Sequence, residues 1–163
     1  MAKDQKTTQN ERNKERLLTE VISLKRVAKV TAGGKRLRFS AVVAVGDGAG
    51  NIGIALAHGR EAPDAIRKAI DKAKNKMMAV PIVGEQKTVP FRLEGKFRSA
   101  RIIIKPAAAG AGIVAGGSVR QVLTVAGYQN VVAKQVGAAN SVANAYATLH
   151  ILHKMKEKLE CLN

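Results

Sequence analysis

Twice along this chain the spacing of apolar residues switches from every second position to every third or fourth, and that switch restricts the fold more than any other feature. Leu37, Phe39, Ala41, Val43 and Val45 alternate with Arg38 and Ser40, the pattern of a half-buried strand. Val21 to Thr31 precedes it across a Gly33-Gly34 turn. The run from Gly46 to Asn51 then reverses the chain, so that Ile52 to Leu56 returns as a paired strand. Next the period changes. Pro63 stands where a helix accepts proline, and Ile66, Ala69, Ile70, Ala73 and Met77 follow on one face, with Arg67, Lys68, Lys72, Lys74 and Lys76 mostly off it. The second pass begins with Val89, Phe91, Leu93 and Phe97 alternating with Arg92, Glu94, Lys96 and Arg98, then a deeper strand at Ile102 to Ile104 that Pro106 ends. Ser118 predicts the cap of a helix carrying Val119, Val122, Leu123 and Ala126 inward, with Gly127 as its stop. Val131 to Val136 predicts a strand, and Ser141 the cap of a last helix through Val142, Ala145, Tyr146, Leu149 and Leu152. The order βββα, then ββαβα, predicts an α+β protein of two small α/β domains.

Breaks in the pattern set the boundaries. Residues 1–16 carry almost nothing apolar and are predicted to be a disordered basic tail. The first domain spans 17–80, and Pro81, Gly84 and Glu85-Gln86-Lys87 mark a linker over 81–86. The second domain spans 87–157, with a short tail at 158–163. The single Cys161 excludes an intrachain disulfide framework and a multi-cysteine zinc site, and suits a reducing compartment. No apolar run approaches the roughly 18 residues of a membrane span. The N-terminus lacks a signal peptide's apolar stretch, and Asp4, Glu11 and Glu15 argue against an organelle transit peptide.

Lys and Arg number 28 against 12 Asp and Glu, a net charge of +16, so a polyanion is the expected partner. The charge is densest at Lys25, Arg26, Lys29, Lys35, Arg36 and Arg38, on two strands joined across Gly33 and Gly34 with no acid among them. A hairpin tip of this kind can enter a groove and neutralise phosphates, each contact releasing counterions; the alternative is a solvated basic face. Aromatic residues make up 3% of the chain with no Trp, which suits poorly the stacking of splayed single strands.

Catalytic patterns are weak by comparison. Gly48, Gly50 and Gly53 fit G-x-G-x-x-G, but an alternating strand follows them where a dinucleotide site needs a helix, so turn glycines are the expectation. Residues 106–118 are rich in glycine and lead into the second-domain helix, where exposed amides attract anions. They resemble the loop of small-molecule kinases related to galactokinase and homoserine kinase. Ile113 and Val114 stand where that family has hydroxyl residues. His58, His150 and His153 offer no third metal ligand at a defined spacing, and no nucleophile, acid–base pair, metal site or cofactor is predicted.

Four segments, in order and spacing, resemble the small-subunit ribosomal protein five family of bacteria and organelles between about residues 17 and 152. They are Arg26-Val-Ala-Lys-Val-Thr-Ala-Gly-Gly34, Phe39-Ser-Ala-Val-Val-Ala-Val-Gly-Asp-Gly48, Pro63-Asp-Ala-Ile-Arg-Lys-Ala69, and Lys105-Pro through Gly112-Ile-Val-Ala-Gly-Gly117 with Arg120. The resemblance implies an N-terminal domain like a double-stranded-RNA-binding fold lacking its first helix, and a C-terminal α/β domain of the kind shared with those kinases. It implies a non-enzymatic constituent of a cytoplasmic or organellar small ribosomal subunit. Such a protein binds small-subunit rRNA near the decoding region, touches ribosomal proteins four and eight, and lines the path by which messenger RNA enters. By the same resemblance Lys25, Arg26, Lys29, Gly33, Gly34, Lys35, Arg36 and Arg38 bind rRNA, and the loop from Arg26 to Lys35 seats spectinomycin. Gly110, Gly112 and Arg120 form a protein interface that bears on accuracy. Helix geometry independently puts Arg120 outside the inward stripe of Val119 and Val122. Departures are Asn51 for Arg, His58 for Lys, Ala55 and Ala57 for glycines, Ala111 for Thr, Ser141 for Pro and Tyr146 for Arg. Two rival classes remain: a small nucleotide-binding enzyme using 106–118, and a free-standing double-stranded-RNA-binding module.

Overall fold

β1 (Leu18–Thr31), β2 (Gly34–Gly46) and β3 (Asn51–Gly59) form an antiparallel meander in the computed structural model, which describes residues 17–160. The expected tail 1–16 lies outside the described residues. After β3 the chain enters α1 (Ala62–Lys74) and returns as β4 (Met78–Ala79), completing a sheet of order β1-β2-β3-β4. Pro63 sits in the first turn of α1 with Asp64 beside it, and Lys72 and Lys74 sit in the last, each favourable to the helix dipole. The stripe that α1 buries is centred on Ala65, Ala69 and Ala73, with Ile66 and Ile70 packed at its side. Small residues fit here because the helix lies almost on β3, where a Cβ at Gly53 or Gly59 would run into the α1 backbone.

The half-buried alternation expected of β2 does not hold, because Gly34 to Arg38 are exposed on both faces and Phe39 and Ser40 are intermediate. From Ala41 to Gly46 every residue is buried. Ala41, Val43 and Val45 face α1, while Val42 and Ala44, together with Ile52 and Ile54 of β3, join a second core built mainly by the C-terminal half. A strand covered on both faces is apolar at both parities, as Ala-Val-Val-Ala-Val shows.

The C-terminal half forms a mixed sheet from β5 (Leu93–Phe97), β6 (Ala100–Pro106), β7 (Ile113–Val114) and β8 (Val131–Gly137), in order β5-β6-β8-β7. Only β7 and β8 run parallel, joined by α2 (Gly117–Ala126), and α3 (Ser141–Glu160) covers the same core. The two α/β domains follow the predicted class, with β4 and β7 added. Other differences are local. The strand expected from Val89 begins at Leu93, because Pro90 has no amide to give a ladder. Gly116, not Ser118, is the N-cap of α2, and Ser118 Oγ instead accepts a bond from Gln135 Nε2 at 3.1 Å. Asn140 caps α3 in place of Ser141, its Oδ1 accepting from the Val142 amide at 3.1 Å. That leaves Ser141 at the first helical position, where proline is equally at home. α3 also runs past the expected boundary at 157 to Glu160, and Cys161 lies outside the described residues.

The two halves are fastened backbone to backbone. The Gly48 and Gly50 amides of the β2–β3 turn donate to the Val125 and Ala126 carbonyls at 3.2 and 3.0 Å, and these carbonyls are among the last of α2, which have no partner within the helix. Gly127, at φ +97°, ends α2 so close to Gly48 that a Cβ would collide with the Gly48 carbonyl, and one at Gly46 would stand 2.5 Å from the Val125 oxygen. The segment expected as a linker is stitched to the same place. Tyr128 donates its hydroxyl to the Pro81 carbonyl at 2.7 Å, and Asn130 Nδ2 donates to that of Gln86 at 2.8 Å. Within the turn, Asp47 accepts bonds from the Ala49 amide (2.8 Å), the Asn51 amide (3.0 Å) and Asn51 Nδ2 (2.6 Å).

Gly127→Ala is therefore expected to lose about 3 kcal/mol in denaturant unfolding, from left-handed strain plus overpacking. Unfolding of both halves should remain a single coincident transition; a neutral substitution would contradict the close approach. Asp47 gives a pH signature. Partial burial pushes its carboxyl up, but the bonds from the Asn51 side chain and the Ala49 and Asn51 amides outweigh this and hold it below the ordinary carboxylate value. The stability this contributes is full above the unfolded-state value near 4 and is lost as pH falls through the lower folded-state value. Asp47→Ala should cost about 1–2 kcal/mol at neutral pH, with the gap to the parent protein narrowing in acid.

Candidate nucleic-acid interface

β3 pairs with β2 only as far as the Phe39–Gly59 pair, so β1 and β2 continue beyond it as a two-stranded ribbon from Val27–Arg38 to Thr31–Gly34. Gly34 closes the ribbon at φ +122°, while Gly33 stays at ordinary φ; Thr31 Oγ1 donates to the Gly34 carbonyl at 2.9 Å. Every residue from Leu24 to Arg38 is exposed, including Val30 at 72%.

Directly paired residues share a face, so the register sorts the predicted contacts. Lys25, Lys29, Arg36 and Arg38 lie on one face and Arg26 and Lys35 on the other, with Gly33 and Gly34 at the tip. The four-residue face continues the side of the sheet that carries Val42, Ala44, Ile52 and Ile54. Core gives way at Ser40 and Leu56 to a cationic surface that also bears His58. Lys29 and Arg36 are directly opposed, an unfavourable pairing of like charges. None of the six basic side chains has an acidic partner among the described residues.

Phe39 pairs with Arg26 at the foot of the ribbon but is half-buried against the first core, and the other aromatic side chains lie elsewhere: Tyr128 is buried, and Phe91, Phe97 and Tyr146 are half-buried, with the Phe97 and Tyr146 rings 5.9 Å apart. The surface thus combines charge with aliphatic residues, which suits the phosphates of a structured polyanion better than unstacked bases.

Sequence reasoning did not single out a cavity of about 220 Å³ beside this face, lined by Arg38, His58, Gly59, Arg60 and Lys68. The available signal was two basic residues, His58 and Arg60, just before and after the end of β3. Their convergence depends on the β2–β3 register and the placement of α1.

The other predicted site is split. Gly110 and Gly112 take φ +83° and +71° in an open loop, and a Cβ at either would meet nothing. The Gly112 amide donates to Asn130 Oδ1 at 3.3 Å and the Ala111 amide to the Ala108 carbonyl at 3.1 Å. β7 separates this loop from α2, so it does not open directly onto the helix as expected. Gly112 sits beside Val131 at the start of β8, whereas Gly116, whose carbonyl accepts from the Arg120 amide, packs on Gln135. The two places are four strand residues apart, roughly 13 Å. Arg120 itself is exposed, as its helical position requires.

Comparison with known proteins accounts for both halves. The family described as ribosomal protein S5, N-terminal domain, matches residues 17–81, and that described as ribosomal protein S5, C-terminal domain, matches residues 95–162. The small ribosomal subunit protein uS5 of Syntrophobacter fumaroxidans is 42% identical over 140 residues, covering 86% of this chain and 83% of its own. That of Lawsonia intracellularis is 44% identical over 123 residues, covering 76% and 74%. Matches to both domains in order, and identity at this level across most of both chains, place the protein in the ribosomal protein S5 family.

Proposed function

We propose that the protein is a structural, non-enzymatic constituent of the small ribosomal subunit that holds rRNA chiefly through the β1–β2 ribbon. The observation that carries this reading is the exposed cationic face of Lys25, Lys29, Arg36 and Arg38, without acidic partners among the described residues, on a ribbon seated in a shared core. Arg26 and Lys35 give the ribbon a second charged side, and Gly33 and Gly34 keep its tip narrow enough to enter a groove. The bacterial relatives support a cytoplasmic ribosome.

Finer roles follow from the family. Residues 17–80 act as the RNA-binding domain and 87–157 as the protein-facing one, joined at 81–86. Arg120 and the Gly110–Gly112 loop form two separated parts of a surface bearing on accuracy, Arg120 toward ribosomal protein four, and the protein also touches ribosomal protein eight and the path of entering messenger RNA. The enzyme alternative has less support, since the Ala111 and Gly112 amides are already bonded within the protein.

The test is binding of the full chain to a transcribed small-subunit rRNA fragment, with sedimentation alongside subunits in lysate as a second readout. Affinity should fall about tenfold or more between about 50 and 200 mM salt. The double substitution Lys29→Gln and Arg36→Gln should lower the slope of log affinity against log salt by about two. Free-protein stability should change by less than about 0.5 kcal/mol, because the residues are exposed and mutually repulsive. An affinity indifferent to salt, or an unchanged slope in the variant, would contradict the role of the ribbon.

A further inference from the structure

The cavity at the end of β3 lies on the same track as the ribbon. Arg38 belongs to both, and His58, paired across from Ser40, stands on the same face as Arg38. With His58, the cavity is lined by Arg38 from β2, Arg60 on the connection to α1 and Lys68 from α1, while the acidic Glu61 and Asp64 stand at the start of α1. Their balance is positive. Asp64 is already engaged, accepting a bond from Lys68 Nζ at 2.8 Å with Arg67 at 3.8 Å, and the guanidinium groups of Arg38 and Arg60 have no acidic partner among the described residues. Cations gathered around an open cavity repel one another until an anion enters, and arginine is suited to holding phosphate oxygens. At about 220 Å³ the space is several times the roughly 30 Å³ share of a water molecule, enough for a phosphate group.

We propose that this cavity holds one phosphate of a bound polyribonucleotide, with Arg38 and Arg60 as its cations and His58 as a further hydrogen-bond donor. The inference rests on the rRNA-binding reading and extends it to residues beyond the ribbon. Continuity with the ribbon favours a phosphate within a nucleic-acid backbone over a free anion.

The experiment titrates the full chain with a transcribed small-subunit rRNA fragment over a range of salt, and separately with inorganic phosphate. Arg60→Gln should lower the salt slope by about one, and Arg60→Lys should restore it. His58→Ala should weaken RNA binding about threefold, the loss of one hydrogen bond, without changing the salt slope. An unchanged slope in Arg60→Gln, where Lys29→Gln lowers it, overturns the cavity assignment and leaves the ribbon standing. Unchanged slopes in both overturn the rRNA-binding reading and the cavity with it. Submillimolar binding of inorganic phosphate that Arg60→Gln abolishes, with its RNA slope intact, assigns the cavity to a free anion and equally overturns the proposal. Unchanged affinity in His58→Ala overturns the part given to His58.

Discussion

The C-terminal carbonyls of α2 must find donors, and in this protein they find them in the glycine turn of the other half. The Gly48 and Gly50 amides reach the Val125 and Ala126 oxygens because neither Gly46 nor Gly127 carries a side chain to hold the backbones apart. Each such bond contributes about 1 kcal/mol net, and a buried partner left unpaired costs more than that. The larger consequence is geometric. With the turn pinned, Val42, Ala44, Ile52 and Ile54 are committed to the second core, and β2 becomes a strand buried on both faces from Ala41 onward. The rest of β2 projects as one side of the ribbon.

That arrangement lets a repulsive element persist. A two-stranded ribbon is marginal alone, and Lys29 opposite Arg36 makes this one less favourable still. Its free end is supported by continuity with a well-packed sheet rather than by contacts of its own. The unfavourable charge is the feature a polyanion would relieve, so stability is concentrated at the turn and the proposed binding at the tip. The two demands fall on opposite ends of the same strands.

The strands and helices of both halves were legible because their apolar periods run for several turns or ladders; the alternation at Leu37–Val45 and the three-and-four spacing of α1 are examples. Two-residue β4 and β7 carry no period, so nothing in the sequence announces them. The caps shifted by one or two positions because Gly116 and Asn140 compete with the neighbouring Ser118 and Ser141, and the choice is made by packing against Gln135 and by the Asn140 side-chain bond. The basic segment 25–38 was visible as charge. Its division into two faces was not, since that requires the β1–β2 register, with its irregularity between Val21 and Ser23. The cavity at Arg38, His58 and Arg60 was further out of reach because it depends on where β3 stops and α1 begins. Asn51, a departure from the family pattern, has a structural use as the partner of Asp47, which only the turn geometry reveals.

Amide hydrogen exchange on the full chain, free and bound to a small-subunit rRNA fragment, compares the two ends of the strands directly. The account predicts that amides between residues 25 and 38 gain strong protection on binding, while Gly48 and Gly50 are already protected in the free protein and change little. Ribbon amides that exchange equally fast in both states, or a turn that exchanges as freely as the ribbon before RNA is added, would contradict it.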